Sequence, residues 1–391
     1  MKILIKHIDT IIGGSLIKDR DVLFSETIEK VERGGTITPD CDMQVINCEH
    51  SGHILASGYI DIHTHGAKGH DCMEATDESL EAISRFHLSN GTTTILPTTL
   101  TAPLEAIRKV IECVRGYGKI NRYARIFGLH LEGPFISPEG AGAQPKAYIV
   151  APDDYNTAFI LDAADVVKRV TVAPDVEGIS EFVKAASERG IQLSAGHDNS
   201  IHPEVEACIE AGLTSVTHLF NCTSRAARRG GIEKYLGLAE TALLREDLTA
   251  EIIADGVHVP YGLIYLTYKN KGAKGMCIVS DSLAVSGINT SPLYLGKEGE
   301  GYLVELKEGV CCIAGTNTLA GSIAPISKMV ENLVKNTPIP LVDCLVMSTL
   351  TPAKLLNMQD CGDVKVGYYA DMNIINKEGK IVNTIFKGRI I

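Results

Sequence analysis

The feature that most constrains this chain is a rhythm. Between Gly58 and Leu356, eight short β-branched or apolar runs alternate with stretches of helical periodicity. The runs are Tyr59–Ile62, Thr92–Leu96, Arg125–Leu131, Val170–Ala173, Ile191–Ala195, Thr214–Thr217, Ala250–Ala254 and Met276–Val279. Leu80, Ile83 and His87 mark one helix, closed by Gly91, and Ile107, Val110, Ile111 and Val114 mark another, closed by Gly116. Phe182–Arg189 ends at Gly190 and Pro203–Ala211 at Gly212. Glycine just past the last periodic residue stops a helix because it takes the left-handed cap without strain. Eight such alternations predict an α/β fold, a (β/α)8 barrel of the TIM type. The competing arrangement is an open doubly wound sheet, which should carry a glycine-rich phosphate turn after an early strand. Neither GxGxxG nor GxxxxGKS/T occurs here.

The two ends have a different texture. Lys2–His7, Gln44–Cys48, Met372–Ile375 and Ile381–Phe386 are short extended runs punctuated by glycine turns. Neither end is long enough for a sheet of its own, so the two are expected to pair. The expected organisation is a small β-sandwich domain from residues 1–56 plus 358–391, flanking a barrel over residues 57–357.

Composition narrows the function classes. The chain has 37 basic and 48 acidic residues, a net charge of −11, so neither nucleic acid nor an anionic membrane face is an expected partner. Any anionic substrate must be met by a local cationic patch. No apolar run is long enough to span a bilayer, and the opening MKILIKHIDTIIGG is too interrupted for a signal peptide. Eleven cysteines without a CxxC pair read as reduced thiols in a cytoplasmic protein.

The chemistry emerges when polar residues are laid against the runs. His63 and His65 follow the first run, Glu132 the third, His197 the fifth, His218 the sixth, Asp255 and His258 the seventh, and Asp281 the eighth. Any one alone is more simply a satisfied structural histidine or a helix N-cap. Six strand ends carrying His, Glu or Asp are not explained that way, because in a barrel they all meet at the C-terminal mouth. Imidazole and carboxylate suit a divalent transition metal, Zn, Fe(II), Mn or Co. His63 and His65 are two apart, so both rings leave the same face of a strand. Glu132 could bridge two ions, with His197 and His218 as a second pair of nitrogens. Asp281 could be a ligand, a general base, or both. His130, inside a strand, and His202, opening a helix, are read as structural.

These motifs match a known family. Ser57-Gly58-Tyr59-Ile60-Asp61-Ile62-His63-Thr64-His65-Gly66 resembles the opening signature of the amidohydrolase superfamily. His130-Leu131-Glu132-Gly133-Pro134-Phe135 resembles the more specific H-L-E-G-P-F motif of N-acetylglucosamine-6-phosphate deacetylases. Ala141–Gln144, Gly196-His197, Thr217–Asn221, Ala254–His258, Ser280-Asp281, Leu319–Ser322, Thr351–Lys354 and Gly367-x-x-Ala370-Asp371 continue the resemblance in order over nearly the whole chain.

The resemblance implies metal-dependent hydrolysis of N-acetylglucosamine 6-phosphate to glucosamine 6-phosphate and acetate. It implies that Glu132, His197 and His218 bind the main ion, that His63 and His65 can add a second, and that Asp281 is the catalytic acid/base. Ala143, Gln144, Asn221, Cys222, His258, Leu319, Ala320 and Gly321 would line the sugar pocket. Arg229, counted from Asn221 and contributed by the neighbouring subunit of a homodimer, would contact the 6-phosphate. The segment 222–231 departs from the family, which reads N-A-M and then R-E-P-G there. N-acetylgalactosamine 6-phosphate or another N-acyl sugar phosphate is therefore the alternative substrate. Two other readings rank lower. Amidohydrolases bridged by a carbamylated lysine carry it at the end of the fourth strand, where this chain has Val172-Ala173-Pro174-Asp175. A silent scaffold should have lost ligands, and none is missing.

Overall fold

The computed structural model describes residues 2–118, 121–288, 293–307 and 310–391. Each of the eight runs overlaps a strand: β1 (Tyr59–Thr64), β2 (Thr92–Thr99), β3 (Leu129–Glu132), β4 (Val167–Val172), β5 (Gln192–Ala195), β6 (Leu213–Val216), β7 (Thr249–Ile252) and β8 (Met276–Ile278). Neighbours pair in parallel and in chain order, from β1–β2 through β7–β8. Just past β8 the ring closes onto β1. Thr64 bridges Ser282, and the Asp281 N–H donates to the His63 carbonyl at 2.9 Å. The strands are buried on both faces, which is why they read as apolar runs and not as alternating ones.

Three boundaries differ from the sequence reading. The third run is divided into Arg125–Ile126 and Leu129–Glu132; between them Gly128 sits where a Cβ would meet the Val166 carbonyl at 2.6 Å. Gly116 does not stop its helix, which spans Leu104–Tyr117 and is capped by Gly118. The Gly116 position faces open space, so glycine there costs about 1 kcal/mol against alanine without breaking the turn. The helix anticipated to end at Gly190 closes earlier, as Ile179–Ser187. The helix His202–Ala211 ends as expected, with Gly212 at φ +119°.

The ends of the chain do pair. Ile54–Ser57 lies antiparallel to Met372–Ile375 and parallel to Lys2–Ile12, joining both termini in one eight-stranded sheet. Ile3, Ile5, Phe24 and Leu55 pack with Met372, Ile374 and Ile385 in a core that both ends supply. The hydrogen bonding describes one continuous sheet and does not establish the two facing layers of the expected sandwich. Lys2–Ile12 explains the continuity. It turns at His7 (φ +56°), so Met43–Asn47 pairs with its first half and Ile54–Ser57 with its second, along the same edge. Arg125, bonded to Asp371 at 2.6 Å, ties this sheet to the barrel.

An element the sequence reading missed follows β8. Leu293–Leu295, Tyr302–Lys307, Val310–Ile313 and Leu319–Gly321 form an antiparallel four-stranded sheet. Its last strand returns to the barrel through a Ser282–Ser322 bridge. Among the described residues, no helix is long and apolar enough to cross a membrane.

Candidate active site at the barrel mouth

The residues singled out at the strand ends converge. Glu132, the last residue of β3, is the hub. Its Oε1 lies 2.9 Å from Nε2 of both His197 and His218, and its Oε2 lies 3.2 Å from Nε2 of His65. His63 Nε2 is 3.5 Å from Glu132 Oε1 and 3.5 Å from Asp281 Oδ1. His65 Nε2 is 3.2 Å from the same Asp281 oxygen. Two sets of donor atoms result, His63–His65–Asp281 and Glu132–His197–His218, each close enough to share one ion and all buried.

Backbone geometry aims these side chains. His197, His218 and Asp281 all have positive φ, at +50°, +29° and +45°. Left-handed conformations are costly for residues with a Cβ and persist where surrounding structure enforces them, commonly at functional sites. Two of these turns are closely packed by glycines. A Cβ at Gly140 would lie 2.5 Å from the His197 carbonyl carbon, and one at Gly321 would lie 2.9 Å from the Asp281 carbonyl oxygen.

The donor chemistry fits a divalent cation. His197 Nε2 and His218 Nε2 are 3.1 Å apart, and His63 Nε2 and His65 Nε2 are 3.3 Å apart. Imidazole nitrogens crowd this closely around carboxylates when a shared positive charge is to be held among them. The electrostatics agree. Burial pushes the Glu132 carboxyl up, but His63, His197 and His218 outweigh it and hold it well below the usual carboxylate range. Burial disfavours charge on His65, yet Asp281 and Glu132 lift it to about 9.

Above the clusters lies a cavity of about 360 Å³. Ala143, Gln144, Asn221, Cys222 and His258 line it, with Leu319, Ala320 and Gly321 on the opposite wall. Their roles differ in detail. Gln144 Nε2 donates to Glu132 Oε2 at 2.6 Å, while its Oε1 accepts from the Thr101 N–H at 2.8 Å. It braces the hub as well as lining the wall. His258 Nδ1 is 2.7 Å from Asp255 Oδ2, and its buried Nε2 has no partner. Cys222, at φ +47°, sits against Gly142. Leu100, Phe220, Leu295, Asn317 and Thr318 also line it without having been anticipated.

Arg229 is placed elsewhere. It pairs with Glu204 at 2.8 Å and 3.0 Å, outside the cavity of its own chain. Among the described residues, the cavity wall holds no lysine or arginine. His130 is a barrel-interior residue bonded to Thr171 Oγ1 at 2.8 Å, and His202 opens its helix, both as read from the sequence.

Two buried residues near the clusters were missed. Glu251, on β7, has one carboxylate oxygen 3.4 Å from His63 Nδ1 and 3.2 Å from the His218 backbone nitrogen. Arg169, on β4, is paired with it. Both are fully buried. Burial lowers Arg169 to about 9, which leaves it a cation at neutral pH. A signal was available for Glu251, a lone charge inside the apolar run Ala250-Glu251-Ile252; Arg169 stands beside Lys168 in Val167-Lys168-Arg169-Val170 and was less conspicuous.

A closed parallel barrel with buried histidine–carboxylate clusters at its C-terminal mouth defines a barrel enzyme of hydrolase type. Residues 54–391 match the amidohydrolase family, and the chain belongs to it. It is similar to N-acetylglucosamine-6-phosphate deacetylases from Lysinibacillus sphaericus (31% identical, covering 88% of this chain and 86% of that one) and Haemophilus influenzae (32%, covering 86% of each). The crystal structure of N-acetylglucosamine-6-phosphate deacetylase from Pasteurella multocida superposes with a TM-score of 0.90 at 27% identity, covering all of both chains.

Proposed function

We propose that this chain is a metal-dependent deacetylase that hydrolyses N-acetylglucosamine 6-phosphate to glucosamine 6-phosphate and acetate, in amino-sugar catabolism. The observation that carries the reading is the meeting of Glu132, His197, His218, His63, His65 and Asp281 beneath one cavity. Glu132, His197 and His218 would hold the main ion, and His63, His65 and Asp281 a second. Zn, Fe(II), Mn and Co all suit this donor set. When bound, such an ion supplies Lewis acidity and lowers the pKa of water toward about 7.

The chain's own groups supply the proton transfers. Asp281, facing both the imidazoles and the cavity, takes a proton from the attacking water. The water oxygen bonds to the acetamide carbon. As the C–N bond breaks, Asp281 gives that proton to the sugar nitrogen, which leaves poorly as an anion. Asp255 holds His258 through Nδ1, so its free Nε2 is presented to the substrate carbonyl or a ring hydroxyl.

A phosphorylated substrate needs a cation, and among the described residues the cavity wall holds no lysine or arginine. This supports a homodimer in which Arg229 leaves Glu204 and reaches the neighbouring site. Guanidinium suits the task because its planar fork matches phosphate oxygens. The same reading carries the division into residues 1–56 plus 358–391 and 57–357, and a cytoplasmic location.

The test is acetate release over N-acetyl hexosamines with and without a 6-phosphate. N-acetylglucosamine 6-phosphate is expected to be turned over fastest. Preference for N-acetylgalactosamine 6-phosphate would correct the epimer, and no acetate from any substrate after loading with Zn, Fe(II), Mn or Co would sink the reading. Arg229→Ala is expected to raise KM for the phosphorylated sugar far more than for the unphosphorylated one. Equal effects would assign the phosphate to another residue.

A further inference from the structure

Beneath the candidate active site, a single carboxylate touches one member of each donor set. Glu251 Oε2 lies 3.4 Å from His63 Nδ1 and 3.2 Å from the His218 backbone nitrogen. The Glu251 carbonyl accepts the next N–H, that of Leu219, at 2.9 Å. Glu251 thus holds the turn that carries His218 through both its side chain and its backbone. An acceptor at Nδ1 of His63 fixes the proton there and leaves Nε2 bare, and Nε2 is the atom that faces Glu132 and Asp281.

A carboxylate with no solvent must be balanced. Arg169 does this from β4, two strands before the His218 strand, and its guanidinium also reaches Ser215 Oγ on β6 at 3.4 Å. A buried ion pair is a weak source of stability, since apolar side chains of similar size often replace one without loss. Stability therefore gives little reason for a glutamate and an arginine inside this barrel. Orientation gives a specific one, because partners of this kind set the tautomer and ring plane of histidine ligands.

We propose that Glu251, balanced by Arg169, is a positioning residue that fixes the His63 ring and the His218 turn and so sets the affinity of the mouth for a divalent cation. The inference rests on the metal-hydrolase reading above. It concerns a residue that touches neither substrate nor ion.

The test is titration of the metal-free full-length protein with Co(II) against a chelating indicator, together with thermal melts of the same samples. The double variant Glu251→Leu/Arg169→Met removes both charges and keeps the volume apolar. It is expected to melt near the unsubstituted protein yet bind Co(II) about 10–100-fold more weakly, the usual cost of losing an outer partner. Unchanged Co(II) affinity in a folded double variant would make the pair merely structural and overturn the inference. If the double variant does not fold, Glu251→Gln decides. A weakening of tenfold or more supports the inference, and a smaller change overturns it. An unsubstituted protein that takes up no Co(II) overturns the metal reading itself, and this inference with it.

Discussion

Replacing Asp281 with asparagine is expected to lower kcat by about 10²–10⁴-fold, the range that general acid–base catalysis contributes. Asparagine keeps the shape of the side chain but can neither take a proton from water nor return it to a leaving amine. Asp281 is well placed for both. It is nearly buried, its Oδ1 is 3.2 Å from His65 Nε2, and it borders the cavity. Burial pushes its carboxyl up, but His63 and His65 outweigh this and hold it below the ordinary range, so it stands ready as a base. The ion proposed for Glu132, His197 and His218 should survive, because Asp281 contributes no atom to that set. The measurement is kcat for acetate release alongside metal content by mass spectrometry. A normal rate with normal metal content would remove Asp281 as the base.

Removing Glu132 is expected to empty the site. Its two oxygens face four imidazoles from three strand ends, and among the described residues no other carboxylate does so. In Glu132→Ala the loss of affinity should exceed the roughly 10–100-fold that an outer partner is worth, since the residue proposed as a direct ligand is gone. Two measurements follow. Metal content after dialysis should fall to background, and activity with it. Added metal at 100 times its Kd should stabilise the unsubstituted protein by about 2.7 kcal/mol and leave the variant unmoved. A variant that retained both metal and turnover would mean that Glu132 is not the hub.

The barrel was legible because its strands are buried on both faces and therefore spell short apolar runs in the chain itself. The candidate site was legible for a related reason. A parallel barrel collects all its strand C-termini at one mouth, so polar residues placed after successive runs must meet there. His63, His65, Glu132, His197, His218 and Asp281 could be listed from order alone. Local signals were weaker guides. Gly116 was read as a stop, but its helix continues because nothing packs against that position and the turn stays hydrogen-bonded to Gly118.

What the sequence by itself determined is the set of strand ends and the chemistry they bring, since both depend on residues close together in the chain. The tertiary structure alone decided who braces whom. Gln144 holds Glu132 across 12 positions, Glu251 reaches His63 across 188, and Arg229 turns to Glu204 and away from its own cavity. Such partnerships carry no periodicity. They are fixed by which side chains the fold brings together from distant parts of the chain and, for Glu251, by the high cost of leaving a buried charge unmatched.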